Sequence, residues 1–234
     1  MIYVFIWDFD GVIVFTPHEE AWRIAAETYG AKGFTHDFYL KHVAGRPRFE
    51  GGHAILELLG VYKAKGLVDS ESKKKLLREF TNFKNKVFRE LIERGVYEVN
   101  WSVIDFIIRA KREGIIQVLA SASKNASPIA YKVIIKGYGV LANLFDIDVS
   151  GTGRSKEEVF KNAVEYVKEN YGTIDCAIVF DDAPSGVKAG KKLGLKVVGY
   201  GGNELLEAGA DLVVKEFKDL NPLVLIKELG CILK

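Results

Sequence analysis

The sequence predicts a doubly wound α/β fold, a parallel sheet with helices on its faces, interrupted after the first strand by a block of helices. Three observations carry this. Short, nearly continuous apolar runs rich in Val and Ile recur along the chain, as expected of strands buried on both faces of a parallel sheet. Amphipathic stretches separate the later runs and give the βα alternation. Residues 16–97 break that rhythm, with helical patterns and no convincing strand.

Composition agrees with a folded globular chain. Of 234 residues, 33 are Lys or Arg and 31 are Asp or Glu, a formal net charge of +2. Hydrophobic residues make up 48% and charged residues 27%, enough apolar surface to offset the entropy of ordering, which argues against disorder. The absence of a basic surplus argues against a nucleic-acid or membrane-surface protein. The length allows one large domain or a domain carrying an insertion. The apolar opening stretch lacks a basic n-region and is cut short by Asp8 and Asp10, so it reads neither as a signal peptide nor as a membrane span. Cys176 and Cys231 alone define no disulfide framework, and a cytoplasmic location is the default expectation. A single Gln and a single Met beside many Lys and Glu give a bias seen in heat-adapted proteins.

In chain order, strands are expected at residues 2–7, 115–120, 145–149, 176–180, 196–200 and 212–214. Amphipathic helices are expected at 124–136, 156–169 and 185–193. The inserted block carries helical patterns at 18–29, 38–43, 52–59 and 70–94. In the last, Leu76, Leu77, Phe80, Phe83, Val87, Phe88, Leu91 and Ile92 recur at helical spacing, with Ser70 as N-cap and Gly95 as stop. Some eighty residues of helix exceed a simple crossover. The division is therefore a core of residues 1–15 and 98–234 and a helical domain of 16–97, joined by two chain crossings that could hinge.

Ligands of open α/β sheets bind beyond the carboxyl ends of the strands. The first strand ends in Trp7-Asp8-Phe9-Asp10-Gly11, the second in Ala120-Ser121-Ala122-Ser123-Lys124-Asn125, and the fourth in Phe180-Asp181-Asp182-Ala183-Pro184-Ser185-Gly186. Four carboxylates thus converge on one sheet edge. Crowded carboxylates need protons or a cation, and an all-oxygen set selects a hard ion, Mg²⁺ before Zn²⁺.

These residues resemble the motifs of the haloacid dehalogenase-like (HAD) superfamily. Asp8-Phe9-Asp10-Gly11-Val12 is similar to its first motif, Leu119-Ala120-Ser121 to its second, and the run from Val179 to Gly190 to its fourth. The resemblance implies a Rossmann-like core with an inserted helical cap domain of the C1 type, as in phosphoglycolate phosphatases and β-phosphoglucomutases. Ser121-Ala122-Ser123-Lys124-Asn125 is especially similar to the latter branch. It implies a Mg²⁺-dependent phosphatase acting on a small phosphorylated metabolite through an aspartyl-phosphate, with a phosphomutase as the alternative. A non-catalytic module on the same scaffold is disfavoured by the intact motifs.

The same resemblance assigns roles. Asp8 is the expected nucleophile and Asp10 the general acid and base. Mg²⁺ is expected on Asp8, the carbonyl of Asp10, Asp182 and Asp181, and Ser121 is expected to donate to phosphate. Alternatively, Asp181 shapes a turn and Ser121 caps a helix.

In motif three, where relatives carry Gly-Lys-Pro, this chain reads Gly153-Arg154-Ser155-Lys156. Lys156 is favoured for the cationic role, with Arg154 as the alternate and a solvated helix face as the bland reading. Phe15 replaces an acidic residue that many relatives carry. His18, Trp22, Arg46 and Arg48 are candidate substrate contacts from the helical domain, and Ala122, Lys124 and Asn125 from the core. Packing explains Trp22 equally well. The sequence sets no oligomeric state.

Overall fold

A computed structural model describes residues 1–231 and divides the chain into two compact units, Met1–Phe15 with Glu98 onward, and Thr16–Tyr97. The first unit begins with β1 (Tyr3–Trp7) and a two-residue ribbon of β2 (Val14–Phe15) with β3 (Glu98–Val99). Then follow α6 (Trp101–Arg112), β4 (Ile116–Leu119), α7 (Ala126–Ala130), the ribbon β5 (Ile134–Ile135) with β6 (Gly139–Val140), and β7 (Ile147–Asp148). The chain continues through α8 (Lys156–Tyr171), β8 (Cys176–Asp181), α9 (Pro184–Lys192), β9 (Lys196–Tyr200), α10 (Glu204–Glu207), β10 (Leu212–Val214) and α11 (Pro222–Glu228).

Six strands form one parallel sheet in the order β10-β9-β8-β1-β4-β7. The order reverses direction at β1, with β4 and β7 laid down on one side and β8 to β10 on the other. The crevice of a doubly wound sheet opens at such a reversal.

Strand β1 explains why the sheet is buried on both faces. Val4 and Ile6 face one way and join Val118, Val159, Phe160 and Val179 in a mostly aliphatic layer. Phe5 and Trp7 face the other way, where Phe106, Phe180 and Phe217 pack on them; Trp7 stacks on Phe180 at 3.9 Å. All four side chains of 4–7 are fully buried, each stabilising by about 1.5–3 kcal/mol. The lone Gln, Gln117, is buried too: its Oε1 accepts from the Trp7 indole N–H at 2.8 Å and its amide donates to the Ile115 carbonyl.

The second unit holds α1 (His18–Thr28), α2 (His36–His42), α3 (Arg48–Leu58), α4 (Val61–Ala64) and α5 (Ser70–Glu93) around Trp22, Ala25, Ile55, Leu56, Tyr62, Leu76 and Phe80. No strand lies between residues 16 and 97.

Three expectations need correction. The helix expected over 124–136 stops at Ala130, because Val133-Ile134-Ile135 is β-branched and Gly137 and Gly139, both at positive φ, turn the chain into the β5–β6 ribbon. The cap of α5 is Asp69, whose carboxylate accepts the Ser72 N–H at 2.8 Å, while Ser70 is already helical. Cys176 and Cys231 form a disulfide, with Cα atoms 5.9 Å apart. The tail is brought to Cys176 by Phe217 in the aromatic layer and by Arg109, whose guanidinium donates to the carbonyls of Phe217 and Leu220.

Candidate active site

Backbone register builds the site. Trp7 pairs with Phe180 and with Leu119, so the chain leaves β1, β8 and β4 at one level. The Asp8 N–H donates to the Phe180 carbonyl at 3.0 Å, and the Ala120 N–H to the Trp7 carbonyl at 2.8 Å. Asp8, Asp181 and Ser121 therefore emerge side by side; their exposures are 4%, 0% and 2%.

Asp8, Asp181 and Asp182 form one group whose oxygens lie within 4.8 Å of one another. Lys156, the first residue of α8, places its ammonium 2.5 Å from Asp8 Oδ2 and 2.7 Å from Asp181 Oδ2. Arg154 is exposed, and its backbone N–H donates to Glu158. The cation on the nucleophile candidate is thus Lys156. Asp181 both shapes the turn and belongs to the carboxylate cluster: Oδ1 accepts the Ala183 N–H at 3.0 Å while Oδ2 meets Lys156.

One ammonium offsets only one of three carboxylate charges. Burial pushes the Asp8 carboxyl up to about 7 against the pull of Lys156, with Asp181 and Asp10 adding repulsion. Burial, then Asp8 and Asp181, raise Asp182 to about 8. Burial also works against the Lys156 charge, but Asp181 and Asp8 outweigh it and hold its pKa above the ordinary lysine value. Asp8 Oδ1 is buried without a hydrogen-bond partner. An orphaned carboxylate oxygen in an all-oxygen, surplus-negative cluster fits a hard divalent cation such as Mg²⁺.

Ser121 does not cap α7, whose N-cap position is Asn125. Its Oγ accepts the Ser123 N–H at 3.2 Å, and Ser150 Oγ accepts the Ser121 N–H at 3.4 Å. Ala122 and Asn125 are partly buried; Lys124 is exposed, its stem laid over Gly151. Asp10 is partly buried and bridges to Val14 through its backbone. Gly186 is obligatory, because a Cβ there would lie 2.0 Å from Asp181 Oδ2.

In the helical unit, Arg46 and Arg48 are exposed, Arg48 lying over the Phe49 ring. His18 stacks on Phe88 at 4.3 Å, and its Nδ1 lies 2.7 Å from the ammonium of Lys84. Lys84 is 4% exposed and packs over Trp22 and Phe88. Sequence reasoning passed over Lys84. The signal was its position, four residues from both Phe80 and Phe88, a charge inside the apolar stripe of α5.

The model of the haloacid dehalogenase-like hydrolases matches residues 2–194. The chain is 30% identical over 233 residues to a phosphorylated carbohydrates phosphatase of Thermotoga maritima, covering 93% of this chain and 96% of that one. A crystal structure of an archaeal β-phosphoglucomutase from a hyperthermophilic Pyrococcus is 47% identical, with a TM-score of 0.88 over 98% of this chain and 99% of that one. The β-phosphoglucomutase of Clostridium difficile shares the fold, with a TM-score of 0.75, 24% identity and 98% of each chain covered. Among the described residues no helix is long and apolar enough to cross a membrane.

Proposed function

Because the chain belongs to the haloacid dehalogenase-like hydrolases, we propose that it is a Mg²⁺-dependent phosphatase that hydrolyses a small phosphomonoester, a phosphorylated sugar foremost, through an aspartyl-phosphate on Asp8. The observation that carries this is Asp8 itself: a buried carboxylate at the sheet's reversal point, with one oxygen held by Lys156 and the other unpartnered. Asp8, Asp181, Asp182 and the Asp10 carbonyl would hold the Mg²⁺, which when bound supplies positive charge for the carboxylates and the phosphate oxygens.

Asp8 attacks phosphorus, a P–O bond to Asp8 forms, and the ester P–O bond breaks. Asp10 gives its proton to the departing oxygen and then takes one from water, whose oxygen attacks phosphorus and returns Asp8 as a carboxylate. Lys156 favours the ionised form of Asp8, partly offsetting burial, and stands against the charge of the incoming phosphate. Ser121, whose oxygen is occupied by the Ser123 N–H, keeps its own proton to donate to phosphate. The helical unit acts as the cap, with His18, Arg46 and Arg48 reading the remainder of the substrate; an Arg fork suits a phosphate or carboxylate. Ala122, Lys124 and Asn125 do so from the core.

A second reading is a β-phosphoglucomutase-like transfer to a sugar hydroxyl instead of water. It is favoured by the 47% identity to the archaeal mutase and by the Ser121–Asn125 run. Incubation with β-glucose 1-phosphate, Mg²⁺ and a sugar bisphosphate primer separates the two. Release of inorganic phosphate supports the hydrolase, accumulation of glucose 6-phosphate supports the mutase, and neither product from any phosphoester panel removes both.

A further inference from the structure

We propose that Ser155 and Glu158 are positioning residues whose reciprocal cap holds Lys156 on the carboxylate cluster. The proposal rests on the role given to Lys156 above. A lysine has a long flexible stem, and the first turn of a helix is an unfavourable place for a cation because the N-terminal end of the macrodipole is positive. Lys156 nonetheless opens α8 and reaches both Asp8 and Asp181. Something must fix its backbone.

The surrounding contacts do so. Ser155 Oγ accepts the Glu158 N–H at 3.2 Å, while Glu158 Oε2 accepts the Arg154 N–H at 2.6 Å. These two bonds close around Lys156 from both sides, a variant of the capping box in which the acid reaches the N–H one residue before the N-cap. Asn162, further along α8, donates to Thr152 Oγ1 at 3.0 Å and pins the loop before the cap. Gly153 lies flat on the first turn, since a Cβ there would meet Glu158 Cβ at 2.7 Å and the Val159 nitrogen at 2.9 Å. Val159 and Phe160, both fully buried, anchor the other side of the turn. Helical side chains lean toward the N-terminus, so a backbone fixed here aims Lys156 back at the strand ends.

The test compares Ser155→Ala and Glu158→Ala with the conservative Ser155→Thr and Glu158→Gln, which keep an acceptor at each place. With Mg²⁺ and a sugar phosphate, each alanine variant is expected to lose roughly tenfold in kcat with KM changed by less than about twofold, and the conservative variants to recover most of it. In a Lys156→Ala background the alanine substitutions should cost nothing further. A second readout needs neither metal nor turnover. Acylation of Lys156 by an amine-reactive ester, followed by mass mapping, should be several times faster in the alanine variants than in the wild type. Unchanged kcat and unchanged labelling, or a lower melting temperature with unchanged kcat, overturns the proposal. Wild-type turnover by Lys156→Ala alone would instead overturn the role of Lys156, and the labelling rates would still judge the cap.

Discussion

The Asp182 carboxylate occupies the space a side chain at Gly11 would need: a Cβ built there lies 1.9 Å from Asp182 Oδ2. Gly11 also holds φ +83°, a left-handed conformation that L side chains adopt at a cost. The glycine of the first motif thereby makes room for the acid of the fourth. Gly11→Ala should fold but push Asp182 out of the cluster, weakening Mg²⁺ dependence of activity by an order of magnitude or more. Titration of activity against Mg²⁺ measures this; an unchanged midpoint would refute it.

Asp8→Asn keeps the shape of the side chain and removes the proposed nucleophile. Turnover should fall by at least ~10³-fold with the fold intact, since loss of a nucleophile is among the most damaging single changes to covalent catalysis. Acid-quenched wild-type enzyme should carry a phosphoryl group on Asp8 that the variant lacks, as read by mass spectrometry.

The metal-free protein should lose stability as pH rises from about 4 to 8. Folding raises the carboxyls of Asp8 and Asp182 from the ordinary 3.8 to about 7 and about 8, so across that window the native state holds protons the unfolded chain has released. Stability from these groups is complete below 3.8 and is lost as each ionises. A divalent cation replaces the protons. Millimolar Mg²⁺ should therefore raise the melting temperature more near pH 8 than near pH 5, as scanning calorimetry would show; an equal rise at both would count against the cluster as the binding site.

Reduction of the Cys176–Cys231 disulfide should lower the melting temperature while leaving activity at moderate temperature in place. The bridge spans 55 residues, which in a chain-entropy model corresponds to about 4 kcal/mol, or very roughly 10 °C. Cys176 begins β8, at the end of the strand opposite Asp181, so the loss falls on the fold before the site. Melting curves with and without a thiol reductant, set beside a Cys176→Ser variant, decide it.

What the sequence made legible follows from local physics. Strands β9 and β10 lie where the apolar runs put them, and the sheet-end acids were visible because each directly follows such a run. The sequence favours Lys156 over Arg154 through Ser155 as an N-cap, and α8 does begin at Lys156; its contact with Asp8 depends further on which way that first turn leans, which spacing does not fix. The disulfide was hidden because nothing local brings residue 231 to residue 176; Phe217 and Arg109 do that through tertiary packing. Lys84 was missed because a lysine in a charged helix reads as solvated until its neighbours at four-residue spacing are weighed.

Trp7 lies one peptide bond from Asp8, sealed between Phe180 and the amide of Gln117. Trp101, by contrast, faces solvent. The chain consequently carries its own optical reporter beside the carboxylates. In a Trp22→Phe variant, where Trp7 is the one buried indole left, a change in quencher-resistant ultraviolet emission on adding Mg²⁺ would report ion arrival there, with no dye attached.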